Sequence, residues 1–237
     1  MSKSACFDVI GTCFGFDGAI ECIDKRIGAK LKSVNVDAKS FFFSWFYAAQ
    51  RDFTYNSMVD NYVPIAQILS KTLKRACEIV DLPGDQVSDD DVLAVMNAFK
   101  NLDAREGLKA CFDGLKEHGW DVYGVTNGGA ETSLAYYSKA DITLANDHII
   151  SCDTIQKAKP DIRVYENAKE LIKKAGCSEE QQWFVAAHSW DLIAARKAGY
   201  KTAYLDIEEH DPVTEVFGTF DLYASSFEQL LERMKAL

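Results

Sequence analysis

The chain has 237 residues, 48% of them hydrophobic, and a formal net charge of −10 from 26 Lys and Arg against 36 Asp and Glu. That length can bury a sizeable core, and the acidic balance excludes the broad basic face that non-specific nucleic-acid binding needs, while leaving an anionic small-molecule substrate open. The seven cysteines (Cys6, Cys13, Cys22, Cys77, Cys111, Cys152 and Cys177) are scattered, odd in number and without a CxxC pair, which predicts reduced thiols and a cytoplasmic location.

The first element, Ala5-Cys6-Phe7-Asp8-Val9-Ile10, reads as a short buried strand closed by Gly11-Thr12, with an aspartate near its carboxyl end. It is neither a signal sequence nor long enough to cross a bilayer, so no membrane association is expected. From about Phe16 to Phe99 the apolar spacing is helical: Ile20, Ile23, Ile27 and Leu31; then Phe42, Trp45, Phe46 and Ala49; then a long segment from Met58 to Val80. Leu82-Pro83-Gly84-Asp85 marks a turn, and Ser88-Asp89-Asp90-Asp91 supplies an N-cap and an acidic first turn. Phe41, Phe42, Phe43, Trp45, Phe46 and Tyr47 crowd one segment, more than a single helix face buries, which predicts that some line a pocket or a subunit interface.

After Asp103 helices and short apolar strands alternate: helix Arg105–His118, strand Asp121–Val125, helix from Gly129, strand near Ile142–Ala145, helix Ile162–Ala175, strand Trp183–Ala187, helix Ser189–Ala198 and strand Thr202–Leu205. Strict alternation implies βαβ units and a parallel sheet. The first strand joins that sheet if the helical stretch loops out after it. The expected architecture is an α/β, Rossmann-like parallel-sheet core made of residues 1–14 and 100–237, with residues 15–99 inserted as a helical cap domain.

In such sheets ligands bind outside the carboxyl ends of the strands. Four segments should meet there: Asp8 to Thr12, Thr126-Asn127-Gly128-Gly129, Lys159-Pro160, and Ala187-His188-Ser189-Trp190-Asp191. A carboxylate at a strand end can attack an electrophile and form a covalent intermediate, or it can merely cap the next turn. Thr126 and Asn127, at a strand-to-helix junction, can hold an anion or serve as an ordinary cap. Lys159 buried beside Asp8 would keep it ionised, the competing reading being a surface loop lysine, with Lys157 nearby. Asp191 stands in a first helical turn, where an acid can be simple dipole compensation. Two carboxylates and a lysine gathered at one sheet edge would be costly without a function.

Phe7-Asp8-Val9-Ile10-Gly11-Thr12, Val125-Thr126-Asn127-Gly128, Lys159-Pro160-Asp161-x-Arg163-Val164-Tyr165 and Phe184 to Asp191 resemble, in order, the four motifs of the haloacid dehalogenase (HAD) superfamily. The Lys-Pro-Asp-x-Arg-Val-Tyr run and the Trp-Asp pair are similar to L-2-haloacid dehalogenases in particular. The resemblance implies a HAD-like core with a cap between the first two motifs, an ester on Asp8 that water hydrolyses, and, since superfamily relatives are often dimers, a homodimer. It assigns catalysis to Asp8, Thr12, Lys159 and Asp191 and contact with a small anionic haloacid to Ile10, Thr126, Asn127, Tyr165 and Trp190; His188 is a further catalytic candidate, and Phe46 and Arg51 further contact candidates, at positions that depart from the family pattern.

Superfamily phosphatases carry a leaving-group acid two places after the nucleophile and a further Mg²⁺-binding acid in the last motif; here those places hold Ile10 and Ala187. An aliphatic side chain neither donates a proton nor binds a hard cation, so no metal and no cofactor are expected, and a small-molecule phosphatase is the alternative enzyme. Halide displacement needs an aligned carboxylate and anion pocket rather than an acid. The chain departs from the dehalogenase pattern where the halide-binding arginine would follow Trp45, since Phe46 stands there and Arg51 lies further along. It departs again where Ala186 replaces the usual serine and His188 the usual asparagine; that histidine can be a base, a donor to the halide, or a hydrogen-bonding spacer. A catalytically silent ligand-binding protein is the alternative from outside enzymology.

Overall fold

A computed structural model describes residues 2–237. The strand Ser2–Asp8 (β1) is followed by Phe14–Gly15 (β2), the helices Asp17–Ser33 (α1), Ala38–Met58 (α2), Ile65–Ile79 (α3) and Asp89–Phe99 (α4), and the strand Asp103–Ala104 (β3). There follow Leu108–Glu117 (α5), Trp120–Thr126 (β4), Ala130–Lys139 (α6), Ile149–Ser151 (β5), Cys152–Ile155 (α7), Ile162–Lys174 (α8) and Cys177–Ala186 (β6). The chain ends with Ser189–Lys197 (α9), Lys201–Leu205 (β7), Thr214–Phe217 (α10), Leu222–Ala224 (β8) and Phe227–Lys235 (α11). It divides into two compact units, one made of Met1–Gly15 with Ala104–Leu237 and the other of Phe16–Asp103.

In the first unit, among the described residues, six parallel strands run in the order β5-β4-β1-β6-β7-β8. The strand β1 is buried from Ser4 to Asp8, as a strand covered on both faces must be, which is why it shows a continuous apolar run rather than alternation. Phe7 packs on Phe112 of α5 at 4.7 Å and on Phe227 of α11 at 6.4 Å, while Phe184 of β6 packs on Tyr165 of α8 at 5.3 Å and on Tyr200 at 5.6 Å. The successive strands β4 and β5 lie on one side of β1, and β6, β7 and β8 on the other. The order therefore switches at β1, the place where such sheets open a crevice at their carboxyl edge.

The second unit is helical throughout. Phe16, Phe42, Phe46 and Phe99 form one aromatic cluster, with Phe42 5.1, 5.7 and 5.6 Å from the other three. Trp45 is buried and donates Nε1–H to Thr72 Oγ1 at 3.1 Å. Ser88 and Asp91 close a capping box on α4, and Asp91 accepts from Arg26 Nε at 2.8 Å, tying α4 to α1. The Ser88 N-cap and the acidic first turn of α4 are those the sequence indicates.

Two expectations are corrected. The strand near Ile142–Ala145 does not form; Asp141 has φ 56° and the edge strand is Ile149–Ser151, paired with Gly124 to Thr126. The segment from Met58 to Val80 is not one helix: α2 ends at Met58, Asp60 turns with φ 58°, and α3 starts after Pro64, which cannot supply an N–H inside a helix. The aromatic crowding is resolved largely inside the unit, since Phe41, Phe42, Trp45 and Phe46 are buried, Phe43 is half-buried and Tyr47 is exposed. Among the described residues no helix is long and apolar enough to cross a membrane.

Candidate active site

Asp8 ends the central strand and is buried. Immediately after it the chain doubles back: Cys13 and Phe14 donate their N–H groups to Val9 O at 2.9 and 3.0 Å, and Gly11 takes φ 91°, a conformation that favours glycine. That turn returns Thr12 to the carboxylate. Its hydroxyl donates to Asp8 Oδ2 at 2.6 Å and accepts from Ala187 N–H at 2.9 Å, so one side chain ties the end of β1 to the end of β6. Cys13 Sγ donates to the Asp8 carbonyl at 3.2 Å.

The ammonium beside Asp8 is that of Lys159. It lies 2.8 Å from Asp8 Oδ1 and 2.8 Å from Asp191 Oδ2, with the face of the Phe184 ring 5.3 Å away. The Lys159–Pro160 peptide is cis, and the Lys159 N–H donates to Asn127 Oδ1 at 2.9 Å, so the loop after β4 fixes the loop that carries the lysine. Asp191, in the first turn of α9, is fully buried; its other oxygen, Oδ1, accepts from the hydroxyl of Tyr165. His188 Nδ1 lies 3.3 Å from Asp8 Oδ2, and the Trp190 ring is 5.5 Å from the imidazole.

These contacts set the charges. Burial by itself would raise the pKa of Asp8, but Lys159 and then His188 outweigh it and hold the carboxyl well below its ordinary range. Burial would lower the pKa of Lys159, and Asp191 and Asp8 reverse this, leaving a firmly protonated ammonium. For Asp191 burial prevails and raises the pKa, with Lys159 acting against it. The two carboxyls therefore share one cation yet differ in basicity, an arrangement that separates a nucleophile from a proton acceptor.

On the other side of Asp8, Thr126 Oγ1 accepts from Gly128 N–H at 2.9 Å. A Cβ on Gly128 would lie 3.2 Å from Ile10 Cδ1 and 3.3 Å from Thr126 Oγ1, so the loop and Ile10 approach each other closely enough to need glycine there. Asn127 spends its Oδ1 on Lys159 N–H and on Cys152 Sγ, at 2.9 and 3.2 Å, which leaves its Nδ2 amino group to donate elsewhere. The cap position of α6 is Gly129, which has no side chain to cap the helix, and Asp153 Oδ2 lies 3.5 Å from where its Cβ would stand.

The structure thus brings together Asp8, Thr12, Lys159, His188 and Asp191, with Ile10, Thr126, Asn127 and Trp190 around them. Tyr165 is fully buried behind Asp191 rather than lining open space. Phe46 and Arg51 belong to the helical unit: Phe46 is buried in its aromatic cluster, and the Arg51 guanidinium pairs with Asp52, which also holds Arg75. Sequence reasoning did not single out the Ala187 N–H or Cys13, which act through contacts with no motif of their own.

Both Asp8 oxygens and both Asp191 oxygens are engaged by hydrogen-bond donors, and among the described residues no group of three or more His, Cys, Asp or Glu side chains is placed to hold a metal ion.

A model of the haloacid dehalogenase-like hydrolase family matches residues 37–205, well over half of the chain. (S)-2-haloacid dehalogenase 4A of Burkholderia cepacia is 25% identical over 218 residues, covering 90% of this chain and 87% of that protein. A (S)-2-haloacid dehalogenase of Pseudomonas sp. (strain YL) is 24% identical over 206 residues, covering 86% and 82%. A solved structure of L-2-haloacid dehalogenase from Xanthobacter autotrophicus, with chloropropionic acid covalently bound, matches with a TM-score of 0.79 at 15% identity over 100% of both chains. That likeness speaks for the fold, a parallel sheet interrupted after its first strand by a helical insertion, and the family match agrees with it. The chain belongs to the haloacid dehalogenase-like hydrolase family.

Proposed function

We propose that the chain is a metal-independent hydrolase that displaces halide from a small 2-haloalkanoic acid through a covalent ester on Asp8. The observation that carries this reading is the buried triad Asp8–Lys159–Asp191, in which one ammonium 2.8 Å from each carboxylate keeps Asp8 ionised without a metal. The relatives named above are dehalogenases of such acids, which supports the substrate class.

In the first step a lone pair of the Asp8 carboxylate attacks C2 of the substrate, the C2–halogen bond breaks, and halide leaves with the bonding pair. In-line displacement inverts C2. Thr126, the Asn127 Nδ2 group and the N-terminal amides of α6 receive the substrate carboxylate, and Ile10 and Trp190 offer apolar contact. In the second step water attacks Cγ of the Asp8 ester and passes its proton to Asp191, whose raised pKa suits an acceptor better than an ordinary carboxylate. The tetrahedral carbon expels the C2 alkoxide, which takes the second water proton from the new Asp8 carboxyl and departs as the 2-hydroxy acid; Asp191 releases its proton to solvent and Asp8 is again a carboxylate. Thr12 and Lys159 hold Asp8 in place through both steps, and Tyr165 orients Asp191.

The assignment rests on core residues alone, because the Arg51 guanidinium is already engaged by Asp52. The phosphatase alternative has no support in the geometry, since the position of its leaving-group acid is the aliphatic Ile10. The test is halide release from 2-chloropropionate and fluoroacetate with EDTA present. Release that persists in EDTA and vanishes in Asp8→Asn is expected; release that needs Mg²⁺, or full turnover by Asp8→Asn, contradicts the proposal.

A further inference from the structure

Asp8 is a carboxylate and has no proton to give, so in the 3.3 Å contact His188 Nδ1 is the donor and Asp8 Oδ2 the acceptor. Among the described residues, the ring's hydrogen bond is the one from Nδ1 to Asp8, which leaves Nε2 for a further partner. Three carboxylates act on the ring: Asp8 from β1, Asp191 from its own helix, and Glu209 from the loop after β7. Glu209 is not loose. Its Oε2 accepts from Ser189 N–H at 3.0 Å, and Ser189 Oγ donates to Pro212 O at 2.9 Å. Glu208, next to it, pairs with Arg105, whose Nε donates to Gly11 O at 2.9 Å. The loop is thereby fastened both to the start of α9 and to the turn after Asp8.

Counting formal charges, Lys159 is one cation shared by Asp8 and Asp191, so the cluster is negative before an anionic substrate enters. Displacement then creates a second anion, the halide. We propose that His188, as the imidazolium, receives the departing halide through Nε2–H, and that Glu209 is the positioning residue that holds it beside α9 in the charged form. This rests on the Asp8 ester reading above. As the Asp8 oxygen forms its bond to C2, the halogen leaves with the electron pair and accepts a hydrogen bond from Nε2–H; no proton is transferred, and the free halide ion diffuses away.

Burial favours the neutral ring, but Asp8, Glu209 and Asp191 together outweigh it and raise the pKa of His188 above its ordinary value. The charge inventory thus agrees with a donor at Nε2 rather than a base, since a protonated ring has no lone pair to offer water.

The experiment compares halide release from fluoroacetate and bromoacetate by the full-length protein, its His188→Gln variant and its Glu209→Gln variant, from neutral to alkaline pH. Fluoride is the poorer leaving group and the stronger hydrogen-bond acceptor, so His188→Gln should slow fluoroacetate by about 10- to 100-fold more than bromoacetate, the span of one hydrogen bond to a charged group. The fluoroacetate rate of the unaltered protein should fall as pH rises through the imidazolium pKa, and Glu209→Gln should move that fall to lower pH. A merely structural role for Glu209 would lower the rate without moving the profile. Equal slowing of both substrates, or a rate that climbs with pH through the same range, overturns the proposal. Mass spectrometry of quenched reactions separates the two readings. An Asp8 ester with no halide discrimination removes only the role of His188, whereas the absence of any ester removes the chemistry beneath it. Should His188→Gln fail to fold, the pH profile of Glu209→Gln decides alone.

Discussion

Replacing Lys159 by Met keeps the length and apolar stem of the side chain while removing the ammonium between two buried carboxylates. Each carboxylate oxygen lies 2.8 Å from Nζ, so the two oxygens are at most twice that distance apart. At that separation and an effective dielectric of about 20, two like unit charges repel by roughly 3 kcal/mol. A penalty of that size raises one of the two pKa values by about 2 units, so one carboxyl takes up a proton nearer neutral pH. Asp191 already has the higher pKa and is the one expected to protonate, which removes the acceptor for water and leaves Asp8 unneutralised. Turnover should fall by about 100-fold or more, the repulsion acting in the free enzyme where Asp8 is still a carboxylate, since each 1.36 kcal/mol is a factor of ten in rate. Urea denaturation should show a loss of about 3–5 kcal/mol, the usual consequence of stripping one partner from a buried ion pair. The double variant Lys159→Met/Asp191→Asn should recover much of the stability and none of the rate. If Lys159→Met turns over within about tenfold of the parent, or unfolds at the same urea concentration, the shared-cation argument is wrong.

Tyr165→Phe removes the donor to Asp191 Oδ1 and leaves a buried carboxylate oxygen without a partner, at a cost of about 1–3 kcal/mol. Because Asp191 serves the second step, the Asp8 ester should accumulate in this variant and be visible by mass spectrometry. Ser88→Ala opens the capping box of α4 and should lower stability by about 1 kcal/mol, measured by urea titration of the whole chain. His188 is raised in the folded state, so the stability it contributes is complete below about pH 6.5, its unfolded value, and is lost as pH climbs through the folded value. A comparison of thermal unfolding against pH should therefore show the parent losing stability over that window and His188→Asn losing less.

Much of this was legible in the residues because the relevant patterns are local. A strand covered on both faces must be apolar throughout, so β1, β4, β6 and β7 announce themselves, and the aspartate at the end of the first stands out against that background. The edge strand β5 has three residues, too few to show a period, and owes its conformation to pairing with β4 rather than to its own sequence. The misread run from Ile142 to Ala145 looked like a strand because apolar residues recur there, yet no neighbouring strand is in register to receive it. The short β8 and the helix α11, beyond Leu205, were not indicated by the residue pattern; α11 is capped by Ser226, which accepts from Gln229 N–H at 3.1 Å. In the site, the charged groups of Asp8, Lys159 and Asp191 could be named because they stand in segments whose order along the chain resembles the motifs of one superfamily. The depth of Tyr165, the Ala187 amide on Thr12 and the Glu209 carboxylate on the Ser189 N–H, next to His188, are three-dimensional facts, created by the packing of elements far apart in the chain.

The ester on Asp8 is tested most directly by one turnover of excess protein on 2-chloropropionate in H₂¹⁸O, followed by mass analysis of the peptide containing Asp8 and of the lactate formed. Attack of water on the carboxyl carbon places ¹⁸O in Asp8 and none in lactate, the expected result. Label found in lactate with Asp8 unlabelled would show water attacking the substrate directly and would contradict the account.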